Sequence, residues 1–358
     1  MAALGRVKDP ELFKDIITLN MVKGVRIEGD DVSVHIELTT PACPMKDVIQ
    51  RDVERALRDA GARNVHIDWS ANTRGQQGAP AGAGGKGGPK RDVLPQVKNV
   101  IAVGAGKGGV GKSTVAANLA VGLARSGAQV GLMDGDIYGP SMPTILGIKG
   151  VAPEVRGGRI LPHRVHGVHA ITIGSLVEQD KPLIWRGPMA HGAFKQLLLD
   201  NTEWPELDYL IVDLPPGTGD VPLTLCQLLS ITGAVVVATP QQVALDDAVR
   251  AVRMFQQLGA PILGLVENMS YFVGPDGVEH DIFGRGGTER AAQRLHQPYL
   301  GAIPMFTELR VNSDAGNPTA NFTGDPRLRD ALEHLVQTLA GEVSKRNLQP
   351  TGPELTIS

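Results

Sequence analysis

Residues 106–114 read Gly-Lys-Gly-Gly-Val-Gly-Lys-Ser-Thr, and no other stretch limits the fold so tightly. The spacing G-x-x-x-x-G-K-[ST] works only where a strand runs into a glycine-rich turn that opens directly into a helix. Both flanks are present. Residues 100–103 form a strand-sized apolar run, and 113–125 carry helical periodicity. Gly106, Gly108, Gly109 and Gly111, with Val110, let backbone N–H groups curl around phosphate oxygens, and the helix N-terminus adds positive potential. Lys112 is then expected on the terminal phosphates, Ser113 on Mg²⁺, and Thr114 at the close of the cradle.

The rest of the chain after residue 93 fits that frame. Apolar, strand-sized runs recur at 130–133, 168–173, 209–212, 234–238, 262–266 and 299–303, with helical patterns between most of them, as at 244–258 and 288–295. Continuous apolar strands alternating with helices predict an α/β domain whose mostly parallel sheet is covered by helices on both faces. A last helix, 326–343, places Leu328, Leu332, Leu335, Val336 and Leu339 on one stripe that packs on the sheet.

Residues 71–92 interrupt the pattern. They are glycine-rich with almost no apolar side chains, so they read as a flexible linker spanning on the order of 25 Å. Residues 1–70 before it predict a small α+β domain: a helix at 10–19, two paired strands at 22–27 and 32–38, a helix at 45–60 and a third strand at 65–69. The organisation expected is therefore 1–70, linker 71–92, nucleotide domain 93–345 and a polar tail 346–358.

Composition enters as a set of exclusions. A net charge of −3 argues against a general nucleic-acid footprint, and 4% aromatics argue against base-stacking platforms. Two cysteines, Cys43 and Cys226, cannot make a disulfide framework. The N-terminus lacks a signal-peptide apolar stretch, and the longest apolar runs are strand-sized. A cytoplasmic protein with no membrane partner is expected.

Two more strands end in acids. The 130–133 run leads into Asp134-Gly135-Asp136, and 209–212 leads into Asp213. Carboxylates at the carboxyl ends of parallel strands face the ligand crevice. Asp213 is therefore expected to hold the Mg²⁺ shell. Asp134 is left between a ligand-side role and shaping the turn.

The segment Lys107-Gly-Gly-Val-Gly-Lys-Ser113 resembles the deviant phosphate loop of the MinD, ParA, nitrogenase iron-protein and ArsA class. That resemblance implies that Lys107 reaches across a homodimer interface to the partner's nucleotide. It implies that Asp136 positions or activates the attacking water, and that Asn268 and Pro304 border adenine. ATP and Mg²⁺ are the cofactors it implies.

Further segments narrow the family. Asp134-Gly-Asp-Ile-Tyr-Gly-Pro-Ser141, Trp185-Arg-Gly-Pro-Met189, Asp213-Leu-Pro-Pro-Gly-Thr-Gly-Asp220, Glu267-Asn-Met-Ser-Tyr-Phe272 and His280-Asp-Ile-Phe-Gly284 together resemble the Mrp/ApbC family. Asp9-Pro-Glu11 and Thr39-Thr-Pro-Ala-Cys-Pro44 resemble the MIP18-like domain often fused ahead of it. The resemblance implies an ATP-hydrolysing iron–sulfur cluster carrier acting on apoprotein targets or assembly partners. Its usual C-P-x-C, which implies a bridging [4Fe–4S] cluster, is replaced here by Gly274-Pro-Asp-Gly277. Glycine offers no thiolate, so the usual ligands are absent.

The remaining metal candidates are few. Cys43 stands just before a helix start, which favours thiolate and points to a reactive thiol or one metal ligand, with a structural turn cysteine as the alternative. Cys226 reads as core, and His163, His166, His169 and His191 show no specific metal spacing. An alternative to carriage is a nucleotide-switched interaction protein that holds no cluster. DNA partitioning fits poorly with the charge balance.

Overall fold

The computed structural model describes residues 1–10, 14–38, 45–71, 93–137, 139–175, 187–274 and 276–348. They divide into two compact units, one within Met1–Gly85 with the stretch from Ala340 onward, the other within Lys86–Leu339. The expected linker and tail lie largely outside the described residues, as does Cys43.

The first unit is a three-stranded sheet backed by one helix. Strand β1 (Val22–Glu28) turns at Gly29 into antiparallel β2 (Asp31–Leu38), helix α1 (Lys46–Asp59) follows, and β3 (Asn64–Ala71) returns parallel to β2. Ile49, Val53 and Leu57 recur at helical spacing and are buried with Val34, Ile36 and Leu38. Each such side chain stabilises the unit by roughly 1.5–3 kcal/mol. The helix expected at 10–19 does not form in its described part, residues 10 and 14–19, which is bend, bridge and turn. Asp15 explains why: its Oδ1 accepts from the backbone N–H of Ile17 and Thr18, and its Oδ2 from the Thr18 hydroxyl. Local side-chain bonding of this kind competes with a helix.

In the second unit β4 (Val97–Gly104) leads to α2 (Lys112–Arg125) and β5 (Val130–Asp134). A short helix α3 (Met142–Ile145), a hairpin of β6 (Val155–Arg156) and β7 (Arg159–Ile160), and strands β8 (His163–Val165) and β9 (Val168–Thr172) come next. They are followed by α4 (Gly187–Lys195), β10 (Leu207–Asp213), α5 (Asp220–Leu228), β11 (Gly233–Ala238) and α6 (Gln242–Gln257). The chain closes with β12 (Ile262–Val273), β13 (Glu279–His280), α7 (Gly287–Leu295), β14 (Tyr299–Met305), α8 (Thr307–Asp314) and α9 (Pro326–Leu348).

Nine of these strands form one sheet in the order β13-β12-β11-β4-β10-β5-β9-β8, with β14 also paired to β12. All pairings are parallel except β13 on β12 and β8 on β9, both at the edges. Strands β5, β11 and almost all of β4 and β10 are buried along their length, as expected of a sheet covered on both faces. This arrangement sets the site. Central β4, β5 and β10 end side by side, with Asp213 in register with Asp134 and with Val103.

Candidate nucleotide site

The loop from β4 to α2 is shaped by two glycines that tolerate no substitute. Gly111 has φ +79° as the residue before the helix, and a Cβ there would overlap Asn268 Nδ2. A Cβ on Gly106 would overlap the Asp247 carbonyl of α6. No side chain caps α2, so its first-turn N–H groups face the loop's concavity.

Lys112 is the first residue of that helix and only 6% exposed. Its ammonium donates to Asp213 Oδ1 at 2.6 Å, lies 3.7 Å from Asp136 Oδ2 and 3.3 Å from Ser113 Oγ. The fold thus brings Lys112, Ser113, Asp136 and Asp213 together. Asp213 is fully buried, and its second oxygen, Oδ2, has no hydrogen-bond partner among the described residues. Burial raises the Asp213 pKa, against the opposing pull of Lys112.

Asp134 resolves toward structure. It is fully buried, and its carboxylate takes three donors: Asp136 N at 3.2 Å, Met142 N at 3.3 Å and Thr172 Oγ1 at 2.9 Å. It therefore fixes the backbone that presents Asp136, the start of α3 and the end of β9. Burial, with the nearby Asp213 charge, pushes its pKa up to about 7.

The remaining candidates surround this centre. Lys107 is half-buried at the loop's outer turn and makes no ion pair with a described residue. Gly217 (φ +91°) donates its N–H to the Ala105 carbonyl at 2.8 Å, tying the segment after β10 to the start of the loop. Asn268 lies in β12 beside Ile303 of β14, buried, and Pro304 is buried next to it. The Asn268 carboxamide donates to the Val110 carbonyl at 2.8 Å. It thus braces the phosphate loop directly, a contact that spacing alone did not reveal. Also unforeseen is Glu267, fully buried, which accepts from the N–H of Gly286 and of Thr288, both at 2.8 Å. A carboxylate on those N–H groups caps α7 and matches its dipole. The one available signal was an acid directly after the apolar run 262–266.

The expected cluster position has a different character. Between β12 and β13 the chain makes a tight turn, with Gly277 N donating to Gly274 O and Gly274 N to Val278 O, both at 2.9 Å. Gly277 has φ +79°. Cys226 is buried in α5. Among the described residues no group of three or more His, Cys, Asp or Glu side chains is placed to hold a metal ion alone. Of the four histidines, His166 contacts Thr319 Oγ1 and the Gly316 carbonyl, His191 contacts Thr224 Oγ1, and His163 Nε2 is buried with no hydrogen-bond partner among the described residues.

Comparison with known proteins decides the lineage. A family model described as NUBPL iron-transfer P-loop NTPase, of the ParA group, matches residues 96–340. The chain belongs to this family. A second model, iron-sulfur cluster assembly protein, matches residues 1–69. An iron-sulfur cluster carrier protein of Deinococcus radiodurans is 46% identical over all of this chain and 98% of its own length. A Synechocystis protein of the same description is 46% identical over 96% of this chain and 97% of its own. Among solved structures, a nucleotide-binding protein from Archaeoglobus fulgidus in complex with ADP is similar with a TM-score of 0.57 and 36% identity. The match covers 64% of this chain and 92% of that one. No described helix is long and apolar enough to cross a membrane.

Proposed function

We propose that this iron-transfer P-loop NTPase binds Mg-ATP at the 106–114 loop and hydrolyses it. We propose further that it uses that cycle as a cytoplasmic homodimer in carrying or assembling iron–sulfur clusters for apoprotein targets. The observation that carries the nucleotide reading is the buried Lys112, held by Asp213 and Asp136 at the mouth of the phosphate cradle. A buried cation with two carboxylates and an unpaired Asp213 oxygen is a site with spare electrostatic capacity.

The donor set suits magnesium: an ionised carboxylate and a hydroxyl are hard oxygen ligands that leave room for water and phosphate. Ser113 and Asp213 would hold it, and it would supply neutralisation of phosphate charge when bound. On binding of the triphosphate, Lys112 exchanges its carboxylate partners for phosphate oxygens. That leaves Asp136, kept in place by Asp134, within the site as the base or orienting group for water. Lys107, with no internal ion-pair partner among the described residues, has its charge available for phosphate across a dimer interface.

The cargo is a separate matter. The 274–277 turn holds no thiolate, so a cluster bridging two copies there has no ligands in this chain. That observation favours, as second reading, a nucleotide-switched partner-binding protein without its own cluster. Anaerobic reconstitution with iron and sulfide, followed by iron quantification and visible absorption, separates the two. A stoichiometric cluster lost in Cys43→Ser supports carriage with relocated ligands. No cluster alongside intact ATP binding removes the carrier role.

A further inference from the structure

A line of three buried or half-buried amides runs from the first turn of the phosphate-loop helix to α8. Asn118 Nδ2 donates to the Thr114 carbonyl at 2.8 Å, Asn321 Nδ2 donates to Asn118 Oδ1 at 2.9 Å, and Asn312 Nδ2 donates to Asn321 Oδ1 at 2.9 Å. Asn118 is 1% exposed and Asn321 is fully buried. Every donor points the same way, so each amide polarises the next toward the Thr114 carbonyl. Asn118 is a buried polar residue flanked in sequence by Ala116, Ala117, Leu119 and Ala120.

The far end of the line matters for its place in the chain. Helix α8 begins two residues after β14, whose Ile303 pairs with Asn268, and Asn268 itself bonds the loop at Val110. The resemblance places adenine against Asn268 and Pro304, and on that assignment the base side of the proposed nucleotide site and the segment 307–322 are one continuous piece. The other end of α8 is also fixed. The His166 ring nitrogen Nε2 lies 2.9 Å from the Gly316 carbonyl and 3.2 Å from the Leu146 carbonyl, just past α3. Gly147 and Gly316 approach so closely that a Cβ on either would meet the other's backbone.

From this geometry we infer that Asn321 is a positioning residue for the adenine-side wall, setting its distance from the phosphate cradle through Asn118 and Asn312. The inference rests on the proposed nucleotide reading. It assigns to the amide line an effect on how ATP's two ends are held together, and none on phosphate binding alone. A ligand with phosphates but no base should not feel it.

The test is calorimetric titration of the full chain with Mg-ATP and with Mg-tripolyphosphate, in wild type, Asn321→Leu and the double variant Asn118→Leu/Asn321→Leu. The double variant removes both partners of the central bond and so leaves no orphaned buried amide between them, which keeps one variant readable should the single one fail to fold. The expected result is ATP affinity weaker by roughly tenfold in both variants, with tripolyphosphate affinity changed by less than about twofold. A purely structural amide line predicts instead that both ligands weaken together in the single variant and recover together in the double one. That outcome, or unchanged ATP affinity, overturns the inference. Failure of the wild type to bind ATP would overturn the nucleotide reading itself, and this inference with it.

Discussion

Two sets of strand ends in one sheet have been built in opposite ways. Where β4, β5 and β10 end, the chain invests side chains: one buried lysine, three carboxylates and a hydroxyl, nearly all paired within the site. Where β12 ends, at the 274–278 turn, two backbone bonds of 2.9 Å and one from Val278 N–H to Asp276 Oδ1 at 3.1 Å hold the chain, and no thiolate is offered. A fold can keep the second turn with almost any sequence that tolerates its φ angles. The first requires particular charges at particular depths. The contrast teaches that the nucleotide centre is under chemical constraint in this chain, whereas the turn is governed chiefly by its backbone, with one local side-chain bond from Asp276.

Removing Lys112 should separate the two regions most sharply. Lys112→Ala leaves Asp213 buried without its cation, a loss of about 3–5 kcal/mol when a buried pair is broken from one side. Tight Mg-ATP binding should disappear as well, read by titration calorimetry, and denaturant midpoints should fall. Retained ATP binding would remove Lys112 from the site. Next in size is Asp136→Ala, expected to keep ATP binding while turnover falls by roughly 10²-fold or more. Normal phosphate release by that variant would take the water-directing role away from Asp136.

Much of this centre was legible in the sequence, for reasons that differ by residue. The loop was legible because its requirements are local: glycine conformations, one lysine and one hydroxyl within nine residues. Asp134 and Asp213 were legible because a parallel sheet aligns strand ends, as their register demonstrates. The partner of Lys112, the bond from Asn268 to the loop, the Glu267 cap and the Asn118–Asn321–Asn312 line were not. Each joins residues far apart in sequence through neighbours that only tertiary packing selects. The helix expected at 10–19 is missing from its described part for a local reason instead: Asp15 offered the backbone a competing turn.

On the other side of the comparison, Gly277→Ala tests whether the turn is governed chiefly by its backbone. A Cβ at φ +79° destabilises by about 1 kcal/mol, so the melting temperature should drop by a few degrees. ATP affinity and turnover should stay at wild-type values. A drop in either would tie this turn to the nucleotide centre and collapse the distinction drawn above.

The smallest effect concerns protons held in the centre. In the folded chain Asp134 keeps its proton up to about 7, against 3.8 for an ordinary aspartate, chiefly because it is buried. The folded state therefore binds this proton more tightly than the unfolded state does. Its stabilising contribution is complete below the unfolded value and is lost as pH rises through about 7. Nucleotide-free protein should unfold at lower urea concentration near pH 8 than near pH 5. In Asp134→Asn, where the side chain stays neutral throughout, the difference between those two midpoints should shrink. The loss of the Met142 and Thr172 bonds lowers both midpoints alike and leaves the slope to report the proton. An unchanged slope in Asp134→Asn would place the titration elsewhere and leave Asp134 ionised in the folded chain, with Lys112 then neutralising three charges instead of two.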